Sequence, residues 1–328
     1  MRAVLVSRPG GAEQLYIGEY EKPHGTADDI LVRVKATALN RADILQREGK
    51  YPPPKGASPV LGLEMAGVVE EVGENCREMW KPGDRVFGLL PGGGYAEYAV
   101  IPGKMAMPVP DFFTFEQAAA IPEAFLTAYQ TLFWIGRLRR GEKVLIHAGA
   151  SGVGTAAIQL AKAAGASAAV TAGTEEKRNA CLQLGADVAV NYKEGPFLEK
   201  VKAATDGEGV DLILDFVGAP YWEQNIELLK PDGRLVLISS LGGSRVEQVS
   251  LAKILAKRLQ ITGTTLRSRS LYYKTDLTQE FASFALPRFA NGELRPVIDR
   301  IFSWENVQEA HRYMEENRNI GKIVLTIP

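Results

Sequence analysis

The sequence predicts an α/β protein of two domains, a β barrel and a doubly wound parallel sheet of six strands. Three observations support this. The chain has 328 residues, which is long for a single hydrophobic core. Its first part alternates short strand-like runs with Gly and Pro, which favours a barrel. Beyond Gly141, β-branched runs alternate with helical stretches, which favours a parallel sheet.

The barrel is predicted from runs that are each bounded by turn residues. They are ILVRVKATAL, GVVEEVG, DRVFGLL and YAEYAVI. An Ala-rich helical segment follows, and Pro122 is expected to separate two helices within it. An amphipathic helix, ENVQEAHRYMEENRN, and a strand, GKIVLTIP, close the chain. We therefore expect a barrel domain of residues 1–123 and 267–328, interrupted by a nucleotide domain of residues 124–266.

The sheet is predicted from six runs that are nearly all apolar, as strands buried on both faces must be. The runs are 143–149, 166–173, 187–192, 210–216, 233–239 and 259–265. Helical crossovers between most of them indicate a doubly wound topology.

Charge and apolar pattern exclude several classes of protein. Lys plus Arg (38) nearly cancels Asp plus Glu (39), so nucleic acid is not expected as a partner. The apolar runs are too short for a membrane span, and the amino-terminal segment lacks the apolar stretch of a secretory signal. Two cysteines cannot form a disulfide framework or a four-cysteine zinc site. A cytoplasmic protein is expected.

A phosphate-binding loop is predicted where the strand KVLIHAG leads into ASGVGTAAIQLAKAAGA. Gly149 and Gly154 fit the first and last glycines of G-x-G-x-x-G, and Ser151 stands in the middle place beside Gly152. Amides at the start of the helix would hold a pyrophosphate. The alternative interpretation is a tight structural turn.

The residues after the second strand favour NADPH over NADH. That strand ends at Gly173 and Thr174, and its end carries no acid that would bind a ribose 2′-hydroxyl. Glu175 and Glu176 come next and are interpreted as acids in the first turn of a helix capped by Thr174, and Lys177 and Arg178 follow them. A 2′-phosphate needs such cations. Both could instead be solvated surface charges.

Metal chemistry is not expected. Zinc-dependent alcohol dehydrogenases place Cys and His where this chain has Asn40 and Leu63, and its three histidines are scattered. Without a Lewis acid an alkoxide would be poorly stabilised, so alcohol oxidation is not expected. A quinone stabilises its own anion after reduction, and an enone does so less well.

Several stretches resemble the quinone oxidoreductase branch of the medium-chain dehydrogenase/reductase superfamily, which includes zeta-crystallin. They are ALNRAD, GLEMAGVVEEVG, PGDRVFGLLPGGGYAEY, AAAIPEAFLTAYQTL, GEKVLIHAGASGVGTAAIQLA, LRSRS and NIGKIVL. The resemblance implies a GroES-like barrel catalytic domain, a Rossmann nucleotide-binding domain and NADPH as cofactor. It also implies a homodimer joined through edge strands of the nucleotide domain, at LQITGTT.

The resemblance also implies the site residues. Three would position substrate and nicotinamide: Asn40, Tyr51 and Thr127. A pyrophosphate site would contain Ser151, Gly152, Val153 and Gly154. An adenosine 2′-phosphate site would contain Gly173, Thr174, Lys177, Tyr192 and Arg318. The wall along ribose, nicotinamide and acceptor would contain Phe216, Val217, Ser240 and Leu241, with Leu266 and Arg267 also on the nucleotide-domain side. Without the resemblance, Tyr51 would pass for a packing residue and Asn40 for a helix N-cap.

The expected function is reduction of quinones by electron or hydride transfer from NADPH, with no residue standing out as an obligatory proton donor. One alternative is reduction of α,β-unsaturated aldehydes or ketones on the same scaffold. An alternative of another class is an NADPH-binding redox sensor or RNA-binding module with little turnover.

Overall fold

The computed structural model describes every residue, Met1–Pro328, and contains fifteen β-strands and ten α-helices. The strands are β1 Arg2–Val6, β2 Leu15–Glu19, β3 Asp29–Ala38, β4 Glu64–Val72, β5 Arg85–Leu89, β6 Tyr98–Pro102, β7 Ala106–Pro108, β8 Lys143–Ile146, β9 Ser167–Ala172, β10 Val188–Asn191, β11 Val210–Asp215, β12 Leu229–Leu237, β13 Gln260–Gly263, β14 Ile298–Ser303 and β15 Lys322–Thr326. The helices are α1 Arg41–Arg47, α2 Phe115–Ala119, α3 Pro122–Tyr129, α4 Gly152–Ala163, α5 Glu175–Gln183, α6 Phe197–Ala203, α7 Trp222–Leu228, α8 Leu251–Lys257, α9 Leu271–Ala290 and α10 Val307–Glu315. Pro122 begins α3, as its fixed φ and missing N–H favour at a first helical position.

The chain divides into two structural units. The barrel unit contains Met1–Leu126 and Leu266–Pro328, and the sheet unit contains Thr127–Thr265. The sequence-based boundaries lie at 123/124 and 266/267. Leu266 and Arg267, expected on the nucleotide-domain side of the site, belong to the barrel unit instead.

The barrel unit is organised around β3. A seven-stranded sheet runs in the order β14-β15-β3-β4-β5-β7, and β6 pairs antiparallel with β3. Both β3 and β4 carry irregularities in register, which bend a sheet toward closure. A separate hairpin joins β1 and β2. This is the expected GroES-like barrel.

The sheet unit contains the six predicted strands, all parallel, in the order β10-β9-β8-β11-β12-β13. Leu145, Ile213 and Leu235 lie in its core and are fully buried. The order of winding reverses between β8 and β11. In a sheet of this kind the crevice for a ligand opens at that point, at the carboxyl ends of the strands.

One edge of this sheet is open. β13 pairs only with β12, and α8 before it exposes Leu251 (67%) and Leu255 (76%). A free edge next to exposed apolar side chains is a template for pairing with another strand. No helix combines the length and the apolar character that crossing a bilayer requires.

Candidate functional site

The predicted phosphate loop connects β8 to α4, and its glycines are required by close packing. A Cβ at Gly149 would lie 2.6 Å from the Val170 Cβ, and one at Gly154 would lie 2.4 Å from the Ala148 carbonyl oxygen. Ser151 is the N-cap of α4, and its Oγ accepts a hydrogen bond from the Gly154 amide at 3.0 Å. The serine in the middle glycine place therefore holds the helix start in position.

The amino-terminal end of α4 is suited to an anion. The amides of Gly152 and Val153 lie in the first turn, where no intrahelical acceptor exists. The positive end of the helix dipole adds to their effect. Together these groups can hold a pyrophosphate.

Gly173 and Tyr192 form a second part of the site in the sheet unit. A Cβ at residue 173 would lie 2.7 Å from the Tyr192 hydroxyl oxygen, so only glycine allows the tyrosine to lie there. Thr174 caps α5, and its Oγ1 accepts from the Lys177 amide at 3.2 Å. These four residues lie together beside the ends of β9 and β10.

Lys177 and Arg178 are the two cations considered for binding of the 2′-phosphate. Arg178 donates to the Ala189 carbonyl at 2.8 Å and pairs with Glu175 at 2.6 Å. Its guanidinium is thus engaged within its own unit. Lys177 precedes it in the first turn of α5, and both side chains are half-buried.

The remaining wall residues of the sheet unit follow β11 and β12. The Leu241 amide donates to the Phe216 carbonyl at 3.2 Å, and the Val217 amide donates to the Asp215 carboxylate at 2.7 Å. Ser240 precedes Leu241 in the same loop. The carboxyl ends of five neighbouring strands thus carry predicted site residues.

In the barrel unit, Asn40 belongs to a buried cluster of polar side chains with Glu64 and Lys322. The Lys322 ammonium lies 2.7 Å from both Glu64 Oε1 and Asn40 Oδ1, and Asn40 Nδ2 donates to Glu64 Oε1 at 2.8 Å. Glu64 is fully buried and Lys322 is 4% exposed. The Asn40 side chain is thus fixed by the Glu64–Lys322 pair. Its backbone N–H donates to the Asp43 carboxylate at the start of α1.

Glu123, in the first turn of α3, was not predicted as a site residue. Its amide donates to Glu64 Oε2 at 2.8 Å. Its own carboxyl group makes no hydrogen bond and is partly accessible. Burial, and then the neighbouring Glu64 carboxylate, raise the pKa of the Glu123 carboxyl to about 8. Burial likewise raises the pKa of Asp43 to about 6.

Tyr51 and Arg267 contact each other within the barrel unit. The Arg267 guanidinium lies 5.4 Å from the Tyr51 ring centre. Its Nε donates to the Pro91 carbonyl and one terminal nitrogen donates to Gln46. The other terminal nitrogen, Nη1, is buried and has no hydrogen-bond acceptor. Arg267 as a whole is 5% exposed. A buried donor without a partner indicates a place for an acceptor atom of a ligand or water.

The contacts of the other predicted site residues, Thr127, Leu266 and Arg318, say less about a role in binding. Thr127 is buried in α3, and its carbonyl accepts from the Thr131 hydroxyl. Leu266 is buried in the barrel unit. Arg318 is exposed, and its contacts are the Tyr313 ring at 4.6 Å and Glu316 at 3.4 Å, both near the end of α10.

Two of the three histidines are structural. His147 is fully buried between Thr171 and Asn225, and burial lowers its pKa. His311 is fully buried between Arg47 and Tyr95, and burial lowers its pKa to about 3. No group of three or more His, Cys, Asp or Glu side chains is placed to hold a metal ion.

Two protein families match the chain. Residues 26–111 match the family described as alcohol dehydrogenase GroES-like domain, and residues 152–283 match the family described as zinc-binding dehydrogenase. The human protein called quinone oxidoreductase is 33% identical over 334 residues, covering 100% of this chain and 98% of that protein.

Solved structures match the chain over its whole length. The Escherichia coli quinone oxidoreductase complexed with NADPH has a TM-score of 0.87 at 31% identity, with 100% of both chains covered. A structure described as an NAD-dependent alcohol dehydrogenase has a TM-score of 0.87 at 34% identity, also over 100% of both chains. The CurK enoyl reductase has a TM-score of 0.88 at 28% identity, covering 100% of this chain and 99% of that one. The chain belongs to the quinone oxidoreductase family of the medium-chain dehydrogenases/reductases, and it is an oxidoreductase.

Proposed function

We propose that this protein reduces quinones with NADPH and without zinc. The observation that carries the proposal is the Lys322 ammonium, held by Asn40 and Glu64 at 2.7 Å. A cation already occupies the acceptors of this cluster, and Leu63 offers no ligand atom. Zn²⁺ would have to displace a paired ammonium, at the cost of both hydrogen bonds. The acceptor must then stabilise its own negative charge, as a quinone does.

NADPH is the cofactor that the sheet unit fits. When bound, it supplies a hydride from the nicotinamide ring. The loop between Gly149 and Gly154 and the first turn of α4 would hold the pyrophosphate. Tyr192, Gly173, Thr174 and Lys177 would hold the adenosine 2′-phosphate. The complexed Escherichia coli relative, at 31% identity over the whole chain, supports this assignment.

The barrel unit would position the acceptor. Tyr51 offers a flat ring, and Arg267 offers its unpaired Nη1 to an acceptor oxygen. The catalytic contribution of these residues is orientation and exclusion of water, with the ring held at the distance needed for transfer. Asn40 would contribute on the nicotinamide side.

The test is NADPH oxidation followed by absorbance, with quinones, enones and simple alcohols in parallel. We expect ortho- and para-quinones to give higher kcat/KM than enones, and alcohols to give no reaction. Tyr51→Phe should lower kcat/KM for quinones modestly, and Tyr51→Ala should lower it more because the ring is lost. A loss of several thousand-fold in Tyr51→Phe would identify Tyr51 as a general acid and favour enone reduction.

Enone reduction is the second candidate function. The similarity to the CurK enoyl reductase favours it, and the Nη1 donor of Arg267 could stabilise an enolate. Higher kcat/KM for enones than for quinones would establish this function instead. Cofactor binding without turnover of either class would favour the redox sensor or RNA-binding module.

Zinc content gives a separate prediction. Purified protein should contain well under one zinc per chain by elemental analysis, because Lys322 neutralises the cluster that a metal would need. Chelators should leave quinone reduction unchanged. Stoichiometric zinc that is lost together with activity would contradict the prediction.

A homodimer through β13 is also proposed, because this edge of the sheet is unpaired. Thr262→Lys should bring a like charge from each chain to the paired edge strands and so block pairing. Light scattering after size exclusion should then show the mass of one chain, 35.7 kDa, instead of twice that value. Tyr272→Lys, at another exposed site that lies in the barrel unit, is the control and should remain dimeric. A Thr262→Lys protein that stays dimeric would place the interface elsewhere.

A further inference from the structure

We propose that Glu123 is the general acid that delivers a proton to the reduced acceptor. This inference rests on the proposed function, since it supplies the proton that quinone reduction requires. The Glu123 backbone is anchored, because its amide donates to the buried Glu64 carboxylate at 2.8 Å. Its carboxyl group is partly accessible and makes no hydrogen bond within the protein. An anchored carboxyl without an internal partner is available to an external one.

The neighbours of Glu123 within the barrel unit support this role. Its carboxylate interacts electrostatically with Tyr51 and with Arg267. These are the two residues proposed to position the acceptor, and all three belong to the barrel unit. The Glu123 carboxyl group is therefore close to the place proposed for the acceptor.

The surrounding charges explain why the carboxyl group retains its proton. Burial comes first and the Glu64 carboxylate second among the causes that raise its pKa to about 8. Asp43 acts in the same direction, and Lys322 and Arg267 act against it. Two further groups interact with the Glu123 charge, Tyr51 and Lys274. The Glu64 carboxylate already accepts hydrogen bonds from Lys322 and Asn40. Because the Lys322 ammonium is paired with Glu64, it lowers the pKa of Glu123 only in part.

The proton step balances without any further reagent. NADPH, when bound, would supply the hydride that reduces the quinone and would itself be oxidised. As the hydride arrives, the O–H bond of Glu123 breaks, and its proton forms a bond to the quinone oxygen on which negative charge develops. Glu123 is left as a carboxylate and regains a proton from water before the next turnover.

The first experiment needs no turnover. The full chain, labelled with ¹³C at glutamate carboxyl carbons, is titrated by NMR beside Glu123→Gln, which identifies the Glu123 signal by its loss. We expect this carboxyl to titrate near pH 8 in the protein alone. A midpoint below pH 6 would overturn the proposal.

The second experiment measures quinone reduction across pH. In the unmodified protein kcat/KM should fall as pH rises through about 8, because the acid loses its proton there. Glu123→Gln should lower kcat/KM about 100-fold, within the usual range for a lost general acid, and should remove this fall with pH. Glu123→Asp should restore part of the rate. The Kd of NADPH should be the same in all three proteins. If Glu123 had only a structural role, its replacement would also weaken NADPH binding.

The outcomes separate this inference from the proposed function. If the unmodified protein reduces quinones and Glu123→Gln does so equally well, Glu123 is not the acid and the function stands. If the unmodified protein reduces no quinone, the proposed function fails, and the same variants are compared with enones. Equal rates for the variants there would overturn the role of Glu123 as well.

Discussion

Replacing Lys322 by Met should lower the free energy of unfolding by about 3–5 kcal/mol. The substitution leaves the Glu64 carboxylate, which is fully buried, without the cation that lies 2.7 Å away. The Asn40 amide and the Glu123 N–H would remain as its donors, and they carry no net charge. Urea unfolding followed by circular dichroism measures the change.

Two controls isolate the buried charge. Lys22→Met removes a more exposed lysine of the same unit, paired with Glu71 at 3.7 Å, and should cost about 1 kcal/mol or less. The double variant Glu64→Gln/Lys322→Met should recover much of the lost stability, because no unpaired charge remains. Equal losses for Lys22→Met and Lys322→Met would mean that the pair is not effectively buried.

Lys177→Ala should raise the Kd for NADPH about 10–150-fold, because one charge-assisted contact to a phosphate contributes about 1.5–3 kcal/mol. The Kd for NADH should hardly change, since NADH has no 2′-phosphate. Fluorescence titration of the reduced cofactors measures both values.

Arg178→Ala is the matched control for this prediction. Arg178 is adjacent in α5, but its guanidinium is engaged by the Ala189 carbonyl and Glu175. Its removal should affect the two cofactors equally. If Lys177→Ala also weakens NADPH and NADH by the same factor, Lys177 is structural and the preference arises elsewhere.

The sheet unit could be predicted from sequence in detail because its signals are local. Each buried strand is a short apolar run, and the loop between Gly149 and Gly154 joins a strand directly to a helix. The six runs correspond to β8 through β13, and the order of those strands follows the general rule for doubly wound sheets. Local pattern and tertiary structure agree there.

The barrel-unit part of the site could not be predicted in this way. Glu64 and Lys322 are 258 residues apart, and nothing in the sequence indicates that they form an ion pair. Glu123 follows a proline in an Ala-rich segment, where an acid in a first helical turn is ordinary. Its altered acidity depends on burial beside Glu64, which no spacing reveals. The unpaired Nη1 of Arg267 is likewise visible only once its neighbours are in place.

The division of the barrel unit between two stretches of chain sets an order for folding during synthesis. β15 pairs with β3, placing Leu325 opposite Thr37, and it also carries Lys322. The sheet unit, residues 127–265, is complete on the ribosome before either event is possible. Domains fold as they emerge from the ribosome, so we expect the sheet unit to fold first. Until β15 is made, the sheet of residues 1–126 lacks one strand, and Glu64 lacks its partner Lys322. Nascent chains long enough for residues 127–265 to have left the ribosome, but with β15 still inside it, should therefore show protease resistance in the sheet unit alone.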